Sequence, residues 1–242
     1  MLHALSFYLI NSECISERIL SMKKKLLTPA NLLLAVIFML FFISFSVVLV
    51  LNFRPLYYHD IKALAIEEAS GLPEKEIREN YDALISYNSM FCREELTFPT
   101  LAMSGSGKIH FEEVKNIFVF VQVLCIFTFL AGAAGAFFRL RQKDAAFLKL
   151  SGILTPAVPA VLGILIAANW ENFFVTFHHI FFRNDYWIFD PATDPVITIL
   201  PDAFFLHCAV GILLLVIIFC AAALFAYRLL TRHWTRHMPT SL

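Results

Sequence analysis

Two histidines, His110 and His178, carry side chains whose type could do chemistry. Imidazole can both take and give a proton near neutral pH, because its ordinary pKa is about 6.5. His178 stands in the stretch 172–205, which reads NFFVTFHHIFFRNDYWIFDPATDPVITILPDAFF. Phe174, Phe177, Phe181 and Phe182 lie at i−4, i−1, i+3 and i+4 from it, and Tyr186, Trp187 and Phe189 follow. A belt of aromatic side chains at the lipid headgroups accounts for the Trp and Tyr. It accounts less well for so many Phe interleaved with His178, Asn184, Asp190 and Asp194. Apolar walls carrying a few polar groups suit a lipid-like substrate with reactive polar atoms. Phe174, Phe177, Phe181, Phe182, Asn184, Tyr186, Trp187, Asp190 and Asp194 are therefore candidate substrate-binding residues. Asp190 and Asp194 each precede a proline, where aspartate starts turns and caps helices. That role suits them better than metal ligation.

His110 is followed by Glu112 and Glu113 and lies shortly before an apolar run. Spacing alone is satisfied by a solvated histidine near a helix start, where two acids would suit the positive end of the helix dipole. The preceding SGSGK, residues 104–108, lacks the spacing of a phosphate-binding loop and any strand before it. It reads as a flexible linker. The zinc spacing HExxH, the GxSxG elbow and an intramembrane aspartate pair are all missing from the sequence. No metal or cofactor is called for.

The elements that would hold these residues are membrane helices. The chain has 242 residues, of which 59% are hydrophobic and 16% charged, with a mean hydropathy of +0.71. That excludes an ordinary soluble domain and leaves no basic surface for nucleic acid. Runs near the length of about 20 residues that crosses a bilayer fall at 31–51, 116–138, 150–168 and 206–227. Segments 1–30, 139–149 and 228–242 hold 11 Lys/Arg against 3 acids, while 52–115 and 169–205 hold 8 against 16. Lys and Arg collect on the cytoplasmic side, so both termini should face the cytoplasm and the other two segments outward. Residues 1–21 are weakly patterned, and Met22 followed by three lysines reads as the more natural start. A lone outer thiol, Cys92, gives no disulfide framework.

Within 52–115, Leu64, Ala65, Ala69 and then Ile77, Tyr81, Leu84, Ile85 recur at helical spacing, with Gly71-Leu72-Pro73 as a turn between them. A small helical cap is expected there. Gly132 and Gly135 with their neighbouring alanines form a patch for close helix approach. Pro156 and Pro159 should kink the third span. A helix running on from that span to Phe182 would stand about 20 Å clear of the hydrocarbon, lifting His178 to the depth that His110 reaches from the cap.

The string FHHIFFRNDYWIFDPATDPVITILPDAFF, with FPTLAMSGSGKIHFEEVKN and IRENYDALISY, resembles the bacterial lipoprotein intramolecular transacylases (Lit). The resemblance runs from Met22 to the fourth span and is most specific in the pattern FHxxFFxNxxWxFDPxxDPxIxxLPxxFF. It implies an all-α polytopic membrane protein, with four transmembrane helices and a small helical extracellular cap. It also implies a bacterial cell membrane location, an active site at the extracellular face, and His110 and His178 as the catalytic pair. Gly105 and Gly107 depart from the acidic or polar residues usual in the family, and Phe111 and Glu113 stand where the family has Met and Asp. The implied substrate is a diacylated lipoprotein amid membrane lipids, handled by a monomer. The sn-2 acyl chain of its diacylglyceryl-cysteine moves to the α-amine of the same cysteine. The amine itself attacks, so no nucleophilic side chain is needed. Which histidine is acid and which is base stays open. The competing readings are a membrane sensor that only binds lipid or peptide, and an intermolecular N-acyltransferase drawing on phospholipid.

Overall fold

The computed structural model describes residues 26–236. Residues 1–21 and the suggested start at Met22 lie outside them. Four helices are long and apolar enough to cross a membrane. The first, α1 (Pro29–Asn52), starts cleanly because Thr28 accepts a hydrogen bond from the Asn31 amide and Pro29 occupies the first turn. Three short helices follow: α2 (Arg54–Ala63), α3 (Ile66–Ser70) and α4 (Glu74–Tyr87). The second long helix, α5 (Gly105–Arg141), has 37 residues, about 55 Å at 1.5 Å each. Its apolar part begins near residue 116, so its first turns stand outside the hydrocarbon.

Sequence reasoning departs from the structure at three places. The SGSGK segment is the start of α5, capped by the Ser104 hydroxyl accepting from the Gly107 amide, not a linker. The third span does not run unbroken to Phe182 but is cut into α6 (Ala146–Leu154), α7 (Ala157–Ala168) and α8 (Trp170–Phe181). The first break falls at Thr155-Pro156, where proline withholds an amide. The second falls at Asn169, whose extended backbone and side-chain bond to the Asn172 amide (2.8 Å) start a new helix. In the cap, Leu64 and Ala65 are not one face of a helix but the break between α2 and α3, with Ala65 in the left-handed region (φ 51°).

The second cap pattern holds: Ile77, Tyr81, Leu84 and Ile85 are all buried. Each such side chain contributes roughly 1.5–3 kcal/mol. They share a core with Tyr57, Ile61, Ile66, Phe98 and Phe111, and with Val196 and Ile199 of α9 (Val196–Ile199). Phe204, from the start of α10 (Asp202–Arg236), closes it. Tyr57 stacks on Tyr81 at 3.7 Å and donates to the Ile199 carbonyl (2.6 Å). This core sits at the end of the bundle where α1 finishes and α5 and α10 begin. Buried Asp60 meets His207 Nδ1 at 2.8 Å there. Gly71 (φ 72°) makes the turn before α4, a conformation other residues resist.

Small residues set the helix spacing in the bundle. A Cβ at Gly135 would meet Leu34 Cδ1 at 2.7 Å, and one at Gly152 would meet Leu224 Cγ at 2.6 Å. At the opposite end a polar clamp ties α1 to α5 and the following loop. Arg139 Nε donates to Asn31 Oδ1 (3.0 Å), Asn31 Nδ2 donates to Asp144 Oδ2 (3.1 Å), and Arg139 pairs with Asp144.

Candidate active site

His110 lies in the second turn of α5, with its side chain buried. His178 lies near the end of α8 and is partly buried. From positions 68 residues apart in the chain, their ring centroids come to 6.2 Å at an interplanar angle of 29°. Phe182 bridges them, 4.7 Å from His110 and 5.7 Å from His178, and is itself buried. Phe189 closes the His110 side at 5.5 Å. Trp187 stacks on His178 at 4.5 Å, and Phe174 packs against it at 4.3 Å.

The hydrogen bonds then fix proton positions. His178 Nδ1 is 2.7 Å from the Phe174 carbonyl oxygen, one turn back on α8. A carbonyl can only accept, so Nδ1 carries the proton and Nε2 holds a free lone pair. Burial pushes the His178 pKa down, and the Phe174 carbonyl offsets part of that. Burial, with the neighbouring His178 charge adding to it, pushes His110 down to about 4. Both rings are therefore neutral near pH 7. Three buried polar atoms around them have no partner: His110 Nδ1, Trp187 Nε1 and Glu113 Oε2. Unmet buried groups of this kind cost free energy unless a ligand meets them. Among the described residues no three of His, Cys, Asp or Glu converge as metal ligands would.

The other candidate residues divide. Phe174, Phe182 and Trp187 surround the histidines, and Phe177, though exposed, meets the His178 ring edge-on at 5.7 Å, whereas Phe181 and Tyr186 are exposed. Asn184 donates to Glu113 Oε1 (2.9 Å). Asp190 is exposed and holds a turn, accepting from the Ala192 amide (2.9 Å). Asp194 is buried and accepts from the Ser104 amide and the Thr193 hydroxyl, both at 2.8 Å. Both aspartates thus shape the loop, the turn-and-cap role that Asp-Pro suggests. His179 is exposed and only meets the Trp187 ring edge-on at 5.7 Å. Sequence reasoning gave Glu113 to the helix dipole. With α5 beginning at Gly105, it lies about two turns in, beyond the dipole's reach. Helical spacing from His110 puts it on the same face of α5.

The model of the family Lipoprotein intramolecular transacylase Lit matches residues 32–205. The chain belongs to this family. It is similar to the solved structure of the membrane-integral lipoprotein intramolecular transacylase Lit from Bacillus cereus, with 37% identity and a TM-score of 0.84. That match covers 86% of this chain and 96% of that one. A variant of the Bacillus cereus protein with a histidine replaced by arginine matches at 34% identity and TM-score 0.81, covering 92% and 100%. Another, with a histidine replaced by alanine, matches at 36% and 0.79, covering 86% and 94%. No curated protein matches the chain. This Lit family member is an acyltransferase and a multi-pass membrane protein built on four apolar helices.

Proposed function

We propose that this Lit family member moves the sn-2 acyl chain of a diacylglyceryl-cysteine lipoprotein to the α-amine of the same cysteine, using His178 and His110. The observation that carries this is the pair of facing neutral imidazoles, 6.2 Å apart, one with its Nε2 lone pair freed by a backbone bond. The charge asymmetry of the flanking segments supports a site on the outer face of the membrane, where lipoprotein N-termini stand.

The reacting atoms N, Cα, Cβ, S, two glycerol carbons, the ester oxygen and the carbonyl carbon close an eight-membered ring. Such rings form poorly in free solution, and holding one in an attack geometry is worth up to about 7–11 kcal/mol. The walls of Phe174, Phe182, Phe189 and Trp187 provide that confinement. His178 Nε2 takes a proton from the nitrogen as nitrogen bonds to the carbonyl carbon. The buried Trp187 Nε1–H, otherwise unpartnered, donates to the carbonyl oxygen as charge develops there. Neutral His110 steadies the glycerol oxygen, and the bond from carbonyl carbon to that oxygen breaks. The proton held by His178 passes to it. Nothing is gained or lost: one ester becomes one amide and one hydroxyl.

Mass spectrometry of a diacylated lipopeptide incubated with the purified protein tests this. The total mass should stay constant while fragmentation shows an N-acyl, S-monoacylglyceryl product; a gained acyl chain would indicate intermolecular transfer instead. His110→Asn and His178→Asn should each abolish that product, and the double variant should be little worse than either, because residues acting as a unit lose activity non-additively. His179→Asn should keep most turnover. Turnover retained by His178→Asn would refute the assignment.

A further inference from the structure

Glu113 holds a carboxylate that is only half accounted for. Asn184, from the segment that follows His178, donates to its Oε1 at 2.9 Å. Its Oε2 is buried and has no partner. Among the described residues no ion pair involves it, since Lys115, two positions on, turns to the Cys92 carbonyl (2.9 Å) and the Tyr87 ring (4.0 Å). A lone carboxylate oxygen withdrawn from water is costly unless a donor, and above all a cation, comes to it. A purely architectural lock between α5 and the aromatic segment would be served as well by a neutral amide, which would leave no charge behind.

The position says what the donor is. Glu113 is at i+3 from His110 on α5, so their Cβ atoms lie about 5–6 Å apart on one face. Its carboxylate, bonded to Asn184, therefore lies between the two histidine-bearing segments. Resting on the transacylase reading above, we propose that Glu113 is the subsite for the α-ammonium group of the substrate cysteine. A diacylglyceryl-cysteine carries one positive charge near its reacting atoms, and a free α-amine, with an ordinary pKa of about 7.7–8.0, arrives mostly protonated. The ammonium has three donors. One can bond Glu113 Oε2, a second is given up to solvent before the reaction, and the third is the proton that His178 Nε2 takes as the neutral amine attacks. Glu113 acts before the chemistry, selecting a free N-terminus and setting its register. An already acylated cysteine lacks the charge and is refused, so the product leaves.

Binding distinguishes this from a structural lock. Two lipopeptides are compared on His178→Asn, which holds substrate without converting it. One has the free α-amine, and the other has a hydroxyl in its place, neutral and of the same size. The free-amine lipopeptide should bind at least about tenfold tighter, as expected for a hydrogen bond between charged groups. Adding Glu113→Gln, which keeps the carbonyl that Asn184 needs, should erase the difference and leave affinity for the hydroxyl analogue unchanged. That last result shows an intact pocket. With His178 restored, Glu113→Gln should raise KM for the free-amine lipopeptide more than it lowers kcat. A preference for the amine that survives Glu113→Gln, or an equal loss of both ligands, would overturn the proposal alone. Failure of the wild-type protein to convert the free-amine lipopeptide would overturn the transacylase reading, and this inference with it.

Discussion

His178 shows how much of an enzyme's behaviour one backbone bond can fix. With Nδ1 committed to the Phe174 carbonyl, the ring has one tautomer, and the atom free to accept a proton is always Nε2. Burial among Phe174, Phe182 and Trp187 lowers its pKa; His110, more deeply buried, is pushed to about 4. The sign matters for function. A base must be neutral, and a lowered pKa keeps it neutral below pH 6.5, where an ordinary histidine is half protonated. Titration of ¹⁵N-histidine protein by NMR, assigned with His178→Asn and His110→Asn, should therefore place the His178 midpoint below 6.5 and the His110 midpoint lower still. A His178 midpoint at or above 6.5 would contradict the account of burial. The same sign carries to stability. His110 takes up its proton at a higher pH in the unfolded chain than in the folded one, so the fold weakens as pH falls from about 6.5 towards 4.

At the scale of elements, the start of α5 positions His110, and Asp194 holds that start. Its carboxylate accepts from the Ser104 amide and leaves no room beside it. A Cβ on Gly107 would lie 2.3 Å from Asp194 Oδ1 and 3.3 Å from Phe189 Cε1. Gly105, two residues earlier in the same turn, has nothing within 4 Å. The two glycines should thus answer alanine oppositely. Gly107→Ala must displace Asp194 or the helix, costing about 1–3 kcal/mol, and should cut turnover because His110 is one turn further on. Gly105→Ala should stabilise by up to about 1 kcal/mol, the usual gain for Gly to Ala in a helix. Thermal melts in detergent with activity assays read both, and equal responses would dismiss the Asp194 contact. This arrangement also shows where sequence reasoning reached and stopped. Apolar run length revealed the four spans, and helical period the buried face of α4, because those are facts about one element each. The SGSGK segment reads as a linker, since two glycines and three polar residues carry no sign of a carboxylate 90 positions later that fills their space. The break at Asn169 and the partnership of Asn184 with Glu113 were equally illegible, because both depend on which segments meet. The meeting of His110 and His178 was legible only as a shared depth, and the tautomer that leaves His178 Nε2 free not at all.

The whole molecule is a neutral chain divided into a positive end and a negative end. The Arg139, Asn31 and Asp144 clamp and the basic loop lie at one end of the bundle. The cap core and the two histidines lie at the other. The sequence segments that hold 11 Lys/Arg against 3 acids, and those that hold 8 against 16, predict one orientation in a membrane, because basic loops resist translocation. This is a separate claim from the chemistry, as the same helices inserted upside down would present the site to the cytoplasm. Ser86, exposed on α4, and Lys143, exposed in the loop after α5, mark the two sides. In a background with Cys14 and Cys92 replaced by serine, Ser86→Cys should react in intact cells with a thiol reagent that cannot cross the membrane. Lys143→Cys should react only after permeabilisation. The reverse pattern would invert the protein and remove the site from the face where lipoprotein N-termini are displayed. Labelling of both from one side would break the four-span arrangement, since α5 alone would then fail to cross.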